Sequence, residues 1–259
     1  MTRGLAAETV TLRRGGRDIL RGVSAYARAG TVTGIIGANG AGKSTLMRVL
    51  AGVSEPAAGQ AVWQGRPVAE MGARARARAI GYLPQRPVVD WPLTVREAAA
   101  LGRLPHLPWW AGSDAGLAHP AVERALSACE LGGFEGRRVD TLSGGEFARA
   151  MLARLLAGEH SVLIADEPAA DLDPPHKVDV MRILREAADR GACVVVALHD
   201  LELADAWCDA LWLMQDGMLA AAGPPRAVLD PVLLTRAYGA GCRVSRMDGA
   251  LAIRFEGTA

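Results

Sequence analysis

The segment Gly37-Ala38-Asn39-Gly40-Ala41-Gly42-Lys43-Ser44-Thr45 sets two glycines four residues apart and follows them with a lysine and a hydroxyl residue. That spacing suits a loop that holds the phosphates of a nucleoside triphosphate. Glycine bares the backbone N–H groups, so they can close around an anion. A helix starting there adds unpaired N–H groups and the positive end of its dipole. Lys43 is expected to reach the β- and γ-phosphates, and the Ser44 hydroxyl to bind Mg²⁺. A second feature supplies acids. The apolar run Val162-Leu163-Ile164-Ala165 ends in Asp166-Glu167, which would set both carboxylates at the C-terminal edge of a strand. Asp166 is then expected to hold Mg²⁺, and Glu167 to take a proton from the attacking water.

Two smaller features accompany these. In Leu142-Ser143-Gly144-Gly145-Glu146, Ser143 and Glu146 have the spacing of a capping box. Gly144 and Gly145 would also leave a helix N-terminus open to a phosphate. His199 follows the apolar run Cys193–Leu198, and its place at a strand end predicts a polar contact to the γ-phosphate.

Elements must bring these residues together. Buried parallel strands read as continuous apolar runs. Val32–Ile36, Ile80–Leu83, Val162–Ala165 and Val194–Leu198 fit that description. Helical patterns separate them, which predicts an α/β core with a mostly parallel sheet. Residues 8–30 read as antiparallel strands around the turn-prone Arg13–Arg17. Residues 88–155 lack a strand signal and read as a helical insertion, with helices near 120–130 and 146–157. Pro224-Pro225 marks a boundary. Beyond it a helix near 231–238 and strands near 242–247 and 250–255 are expected. Arg74, Arg76 and Arg78 read as a solvated helix face.

Composition narrows the function classes. Among 259 residues, charged residues make up 22% and the net charge is +1, which does not suit a protein that coats nucleic acid. Cys129, Cys193, Cys208 and Cys242 form no C-x-x-C pair. They are expected to be buried, inert thiols of a reducing compartment. No secretory leader and no apolar run of about 18 residues is visible, so membrane association is expected to go through a partner.

In combination these motifs resemble the ATP-binding subunit of ABC transporters, from about Val10 to about Phe255. The resemblance implies a P-loop NTPase core of the RecA-like type, with an antiparallel β subdomain and an inserted helical subdomain. The ATPase domain would span residues 1–223, and 224–259 would be a short C-terminal extension. It adds Gln85, after the run Ile80–Leu83, as a residue that approaches Mg²⁺ or the attacking water. Asp173, in the loop Leu172-Asp173, would act across a dimer interface. The dimer would be head-to-tail, each ATP lying between the phosphate loop of one subunit and Ser143–Gly145 of the other. Three positions depart from the pattern. Arg14 stands where an aromatic residue usually stacks on adenine, Phe147 replaces a common glutamine, and Asp171 replaces a small residue.

A finer resemblance lies in Trp91–Glu97 and Gly102-Arg103-Leu104-Pro105-His106, and in the tail Leu229–Gly239. These look like the subunits that drive bacterial uptake of iron chelates, haem and cobalamin. That resemblance implies a membrane permease and an extracytoplasmic binding protein as partners, no nucleic acid, and a place at the cytoplasmic face of the inner membrane. Trp109 and Trp110 suit either a partner anchor or the core of the helical insertion. An exporter ATPase would share every catalytic motif, and only the Gly102–His106 stretch and the tail speak against it. A soluble ABC ATPase acting on nucleic acid would usually carry a coiled-coil insertion or a second cassette, and neither is present.

Overall fold

The computed structural model describes residues 4–87, 89, 91–111, 113–170, 172–247 and 250–256. Position 88, where the helical insertion was expected to begin, and Asp171 lie outside the described residues, as do 1–3 and 257–259.

The chain opens with a hairpin, β1 (Gly4–Arg14) and β2 (Arg17–Arg28), closed at Gly15-Gly16. Then come β3 (Val32–Ile36), α1 (Lys43–Leu50), β4 (Ala58–Trp63) and the two-residue β5 (Arg66–Pro67). Helix α2 (Ala73–Ala79) leads into β6 (Ile80–Leu83). The insertion follows, with α3 (Val95–Ala100), α4 (Pro120–Ala128) and α5 (Gly144–Ala157) joined by short 3₁₀ turns. The core resumes with β7 (Val162–Asp166), α6 (Pro174–Asp189), β8 (Cys193–Ala197) and α7 (Leu201–Trp207). β9 (Ala210–Gln215) and β10 (Met218–Gly223) complete the central sheet. The chain then forms α8 (Pro225–Val228), α9 (Pro231–Tyr238) and the hairpin β11 (Gly241–Met247) and β12 (Ala250–Glu256).

The central sheet has the order β10-β9-β3-β8-β7-β6. The four runs named from the sequence are strands there, with β8 starting one residue earlier than expected and ending at Ala197. The sheet is wider than those runs predict. β9 adds a parallel strand beside β3, and β10 returns antiparallel to it. The first sheet is also wider, because β4 pairs onto β1 from outside residues 8–30 and β5 pairs onto β4.

Strands β3, β7 and β8 are buried on both faces, and their residues divide by period two. Ile35, Ile164 and Val195 face α1 and the antiparallel sheet. Ile36, Leu163, Val194 and Val196 face the helical side. Burying a valine, leucine or isoleucine side chain contributes roughly 1.5–3 kcal/mol, so a polar residue inside these strands would be costly. That makes the polar residues at their ends informative.

Parallel pairing also settles where those ends lie. Leu83 pairs with Ala165, Asp166 with Ala197, and Ile35 with Ala197. The C-terminal ends of β6, β7, β8 and β3 therefore share one edge of the sheet, where α/β folds place their ligands.

Two expectations need refining. Arg74 and Arg78 are exposed, yet they are not simply solvated. Arg74 donates to the carbonyls of Pro105 and Leu107, and Arg78 donates to Pro105 at 2.8 Å. The pair braces the turn after Gly102–Arg103 against α2. Trp109 and Trp110 are 86% and 72% exposed and pack edge to face on one another, so they do not form the core of the insertion. All four cysteines are buried. Burial pushes the thiols of Cys129 and Cys208 up to about 12 and Cys193 up to about 11.

Candidate nucleotide site

The phosphate loop leaves β3 at Gly37 and enters α1 at Lys43. Gly37 has φ 141°, and a Cβ there would lie 2.2 Å from the Met214 carbonyl of β9. Gly42 has φ 100°, and a Cβ there would lie 2.9 Å from Leu20 and 3.2 Å from the Ile19 carbonyl. Both positions thus require glycine. Gly42 occupies the cap position of α1 without any side-chain cap bond. The first N–H groups of α1 therefore remain available for an anion. Asn39 and Gly40 form the exposed crest, and Ala38 and Ala41 close a turn through Ala41 N–H to the Ala38 carbonyl, 3.1 Å.

Lys43 is 5% exposed. Its Nζ donates to the carbonyls of Gly37 at 2.9 Å and Ala38 at 3.3 Å, and lies 4.0 Å from Glu167 Oε1. Burial lowers its pKa, while Glu167 and Asp166 oppose that shift. Ser44 Oγ donates to Asp166 Oδ1 at 3.0 Å. Asp166 is 1% exposed, and burial raises its pKa against the Ser44 hydrogen bond. A hydroxyl beside a carboxylate is a hard oxygen pair, the donor type that Mg²⁺ takes alongside phosphate oxygens and water. Among the described residues no group of three His, Cys, Asp or Glu is arranged to hold a metal ion by itself. These donors fit a cation shared with a phosphate, not a closed protein cage.

Glu167 is 8% exposed and sits in the left-handed region, φ 52°. For a residue with a Cβ that conformation is strained, and such strain gathers at functional sites. Both of its oxygens have partners. Gln85 Nε2 donates to Oε2 at 2.5 Å, and His199 Nε2 lies 2.5 Å from Oε1. Gln85 comes from beyond β6 and His199 from beyond β8, so the neighbours of β7 on the two sides grip the acid between them. A small cavity of about 80 Å³ opens beside Glu167, His199 and Asp200. The structure thus unites Lys43, Ser44, Gln85, Asp166, Glu167 and His199. Thr45 follows in α1.

The remaining candidates stand apart from that cluster. Ser143 and Glu146 form the capping box, with Glu146 N–H to Ser143 Oγ at 3.3 Å and Ser143 N–H to Glu146 Oε2 at 2.8 Å. Ser143 and Gly144 are exposed, and a Cβ on Gly145 would sit 3.4 Å from the His176 ring of α6. Among the described residues no hydrogen bond joins Ser143–Gly145 to the phosphate loop. Asp173 is exposed at the start of α6 and makes no side-chain cap bond. Arg14 is exposed at the tip of the β1–β2 hairpin, whose Ile19 and Leu20 lean on Gly42.

Two residues escaped the sequence reading. Tyr82, inside β6, donates from its hydroxyl to Asp166 Oδ2 at 3.4 Å. Its signal was a lone polar-tipped residue in an apolar strand. Tyr238 accepts from the Gly37 N–H at 3.1 Å across 201 residues, and no local pattern announces such a contact.

The ABC transporter family profile matches residues 20–170, which span the phosphate loop, Gln85, Ser143–Gly145 and Asp166-Glu167. The chain belongs to the ABC transporter family. This ABC ATPase binds and hydrolyses ATP. It is 43% identical over 234 residues to the hemin import ATP-binding protein HmuV of Streptomyces coelicolor, covering 90% of this chain and 82% of that one. It is 40% identical over 226 residues to the cobalamin import ATP-binding protein BtuD of Halobacterium salinarum, covering 87% of this chain and 56% of that one. Its fold matches the ATP-binding cassette MJ1267 of an ABC transporter with a TM-score of 0.79 at 25% identity, over 90% of this chain and 98% of that one. Among the described residues of the ATPase no helix is long and apolar enough to cross a membrane.

Proposed function

We propose that this ATPase energises a bacterial importer of haem, iron-chelate or cobalamin-type cargo, as a homodimer on the cytoplasmic face of the inner membrane. The observation that carries the cargo class is the 43% identity to a hemin import subunit over 90% of the chain. An integral-membrane permease would receive the motion, and an extracytoplasmic binding protein would deliver the cargo.

In this reading the phosphate loop and Lys43 hold the nucleotide, and Arg14 lies against the base. Ser44 and Asp166 would hold Mg²⁺, with Gln85 near it. When bound, Mg²⁺ neutralises charge on the β- and γ-phosphates. Lys43 exchanges its loop carbonyls for phosphate oxygens. Water attacks the γ-phosphorus, the bond to the bridging oxygen of ADP breaks, and Glu167 accepts the proton of the water. Gln85 and His199 orient the Glu167 carboxylate. Ser143, Gly144 and Gly145 of the second copy cover the γ-phosphate, and Asp173 lies at the interface. Closure of the pair on ATP moves the helical insertions, and hydrolysis reopens it.

The insertion offers the permease an apolar surface. Trp91, Leu104, Trp109 and Trp110 are exposed, and exposed tryptophans serve as interface anchors. Co-purification of the tagged chain from host membranes in mild detergent should bring down a polytopic permease and its binding protein. Alanine at both Trp109 and Trp110 should lower permease recovery about tenfold or more while nucleotide binding stays normal. Recovery of a permease without any binding protein would favour export, and recovery of soluble factors or nucleic acid alone would remove the transport reading. Undiminished assembly of the double variant would remove the tryptophans from the interface.

A further inference from the structure

The C-terminal segment reaches back to the catalytic edge of the sheet. Tyr238 is the last residue of α9, and Gly239 ends that helix in the left-handed conformation, φ 68°. The Tyr238 ring packs on Phe255 of β12 with centroids 5.1 Å apart. Its hydroxyl accepts a hydrogen bond from the Gly37 N–H, the first residue of the phosphate loop. Gly37 runs close beside β9, since a Cβ placed there would lie 2.2 Å from the Met214 carbonyl. The loop entry is therefore fixed on one side by β9 and on the other by the tyrosine. The same segment is tied to α7, the helix that follows His199. Arg246 of β11 makes two hydrogen bonds of 2.7 Å to the Asp205 carboxylate. Cys242 N–H donates to Thr235 Oγ1, which holds the hairpin to α9.

We infer that Tyr238 is a positioning residue for the nucleotide site, through which the C-terminal segment sets the entry angle of the phosphate loop. The inference rests on the reading of residues 37–45 as the loop that holds the nucleotide. Without the hydroxyl, the Gly37 N–H loses its partner and the loop entry gains freedom. Binding of nucleotide must then order it. Such a loss weakens ground state and transition state alike, and so raises KM with little change in kcat.

Tyr238→Phe keeps the ring on Phe255 and removes only the acceptor. The expected result is a KM for ATP raised roughly 3- to 10-fold, the range for one net hydrogen bond. The dissociation constant for ATP should rise in parallel, kcat should stay within about twofold, and Tm should stay within a few degrees. An unchanged KM overturns the inference. So does a lower kcat at unchanged KM with a lower Tm, because that pattern reports lost folded protein. If Tyr238→Phe does not fold, amide hydrogen exchange of the wild-type chain without nucleotide decides. Gly37 should exchange as slowly as the β3 amides, and exchange at the rate of the exposed Gly40 crest overturns the inference. Lys43→Ala serves as the control on the underlying reading. If that variant binds ATP normally the loop assignment fails, whereas lost binding there with a silent Tyr238→Phe sinks only the role of Tyr238.

Discussion

Replacing Glu167 by glutamine is expected to leave ATP binding near normal and to slow hydrolysis by about 10²–10⁴-fold, the usual loss for a general base. The substitution is close to isosteric. The glutamine carbonyl can still accept the Gln85 N–H that now reaches Oε2, and the buried position between β6 and β8 is kept. What disappears is the capacity to take a proton. The phosphate loop, Ser44 and Asp166 are untouched, so affinity should not fall. Rapid-quench single turnover at saturating ATP separates the two effects, with affinity from a fluorescent nucleotide. Near-normal turnover would remove Glu167 from the chemistry and leave its strained backbone, φ 52°, without a functional reason.

Lys43→Ala is expected to weaken ATP binding by about 10²-fold or more, since a hydrogen bond to a charged group contributes roughly 1.5–3 kcal/mol and the ammonium has more than one to give. Burial already lowers the pKa of this lysine. Its charge is sustained by Glu167 and Asp166, and the loop carbonyls of Gly37 and Ala38 hold it in place. A phosphate arriving there meets a cation that water does not screen. Equilibrium titration with ATP measures the loss, and an affinity within threefold of wild type would contradict the role given to Lys43. The two variants differ in kind, Glu167→Gln acting on turnover and Lys43→Ala on affinity.

The phosphate loop, the paired acids and the strand-end positions were legible because their chemistry is local. A glycine spacing, a lysine and an apolar run ending in carboxylates sit within a few residues of one another. The parallel core was legible for the same reason, since Val162–Ala165 and Val194–Leu198 are continuous apolar runs. Leu211–Met214 carries a similar apolar signal, yet its membership of the sheet depends on pairing with Thr33–Ile36, nearly 180 residues away. β4 likewise joins the hairpin by long-range pairing with Leu5–Glu8. The capping box at Ser143 could be read from spacing alone. The bond from Gly37 to Tyr238 could not, because it depends on how α9 folds back over the sheet. The arginines of α2 show the other limit. Arg74 and Arg78, four residues apart, share an exposed face while Arg76 is half-buried, but only the packed turn at Pro105 shows that Arg74 and Arg78 are holding a backbone.

We propose that one copy of this chain does not complete its own nucleotide site and that ATP closes two copies together. Sedimentation velocity of the Glu167→Gln variant, with Mg²⁺ and either ATP or ADP, tests it most directly. The expected result is a dimer with ATP and a monomer with ADP, the ATP dimer being lost when Ser143 is replaced by a bulky residue. A variant that stays monomeric at saturating ATP, or dimerises equally well with both nucleotides, would contradict it.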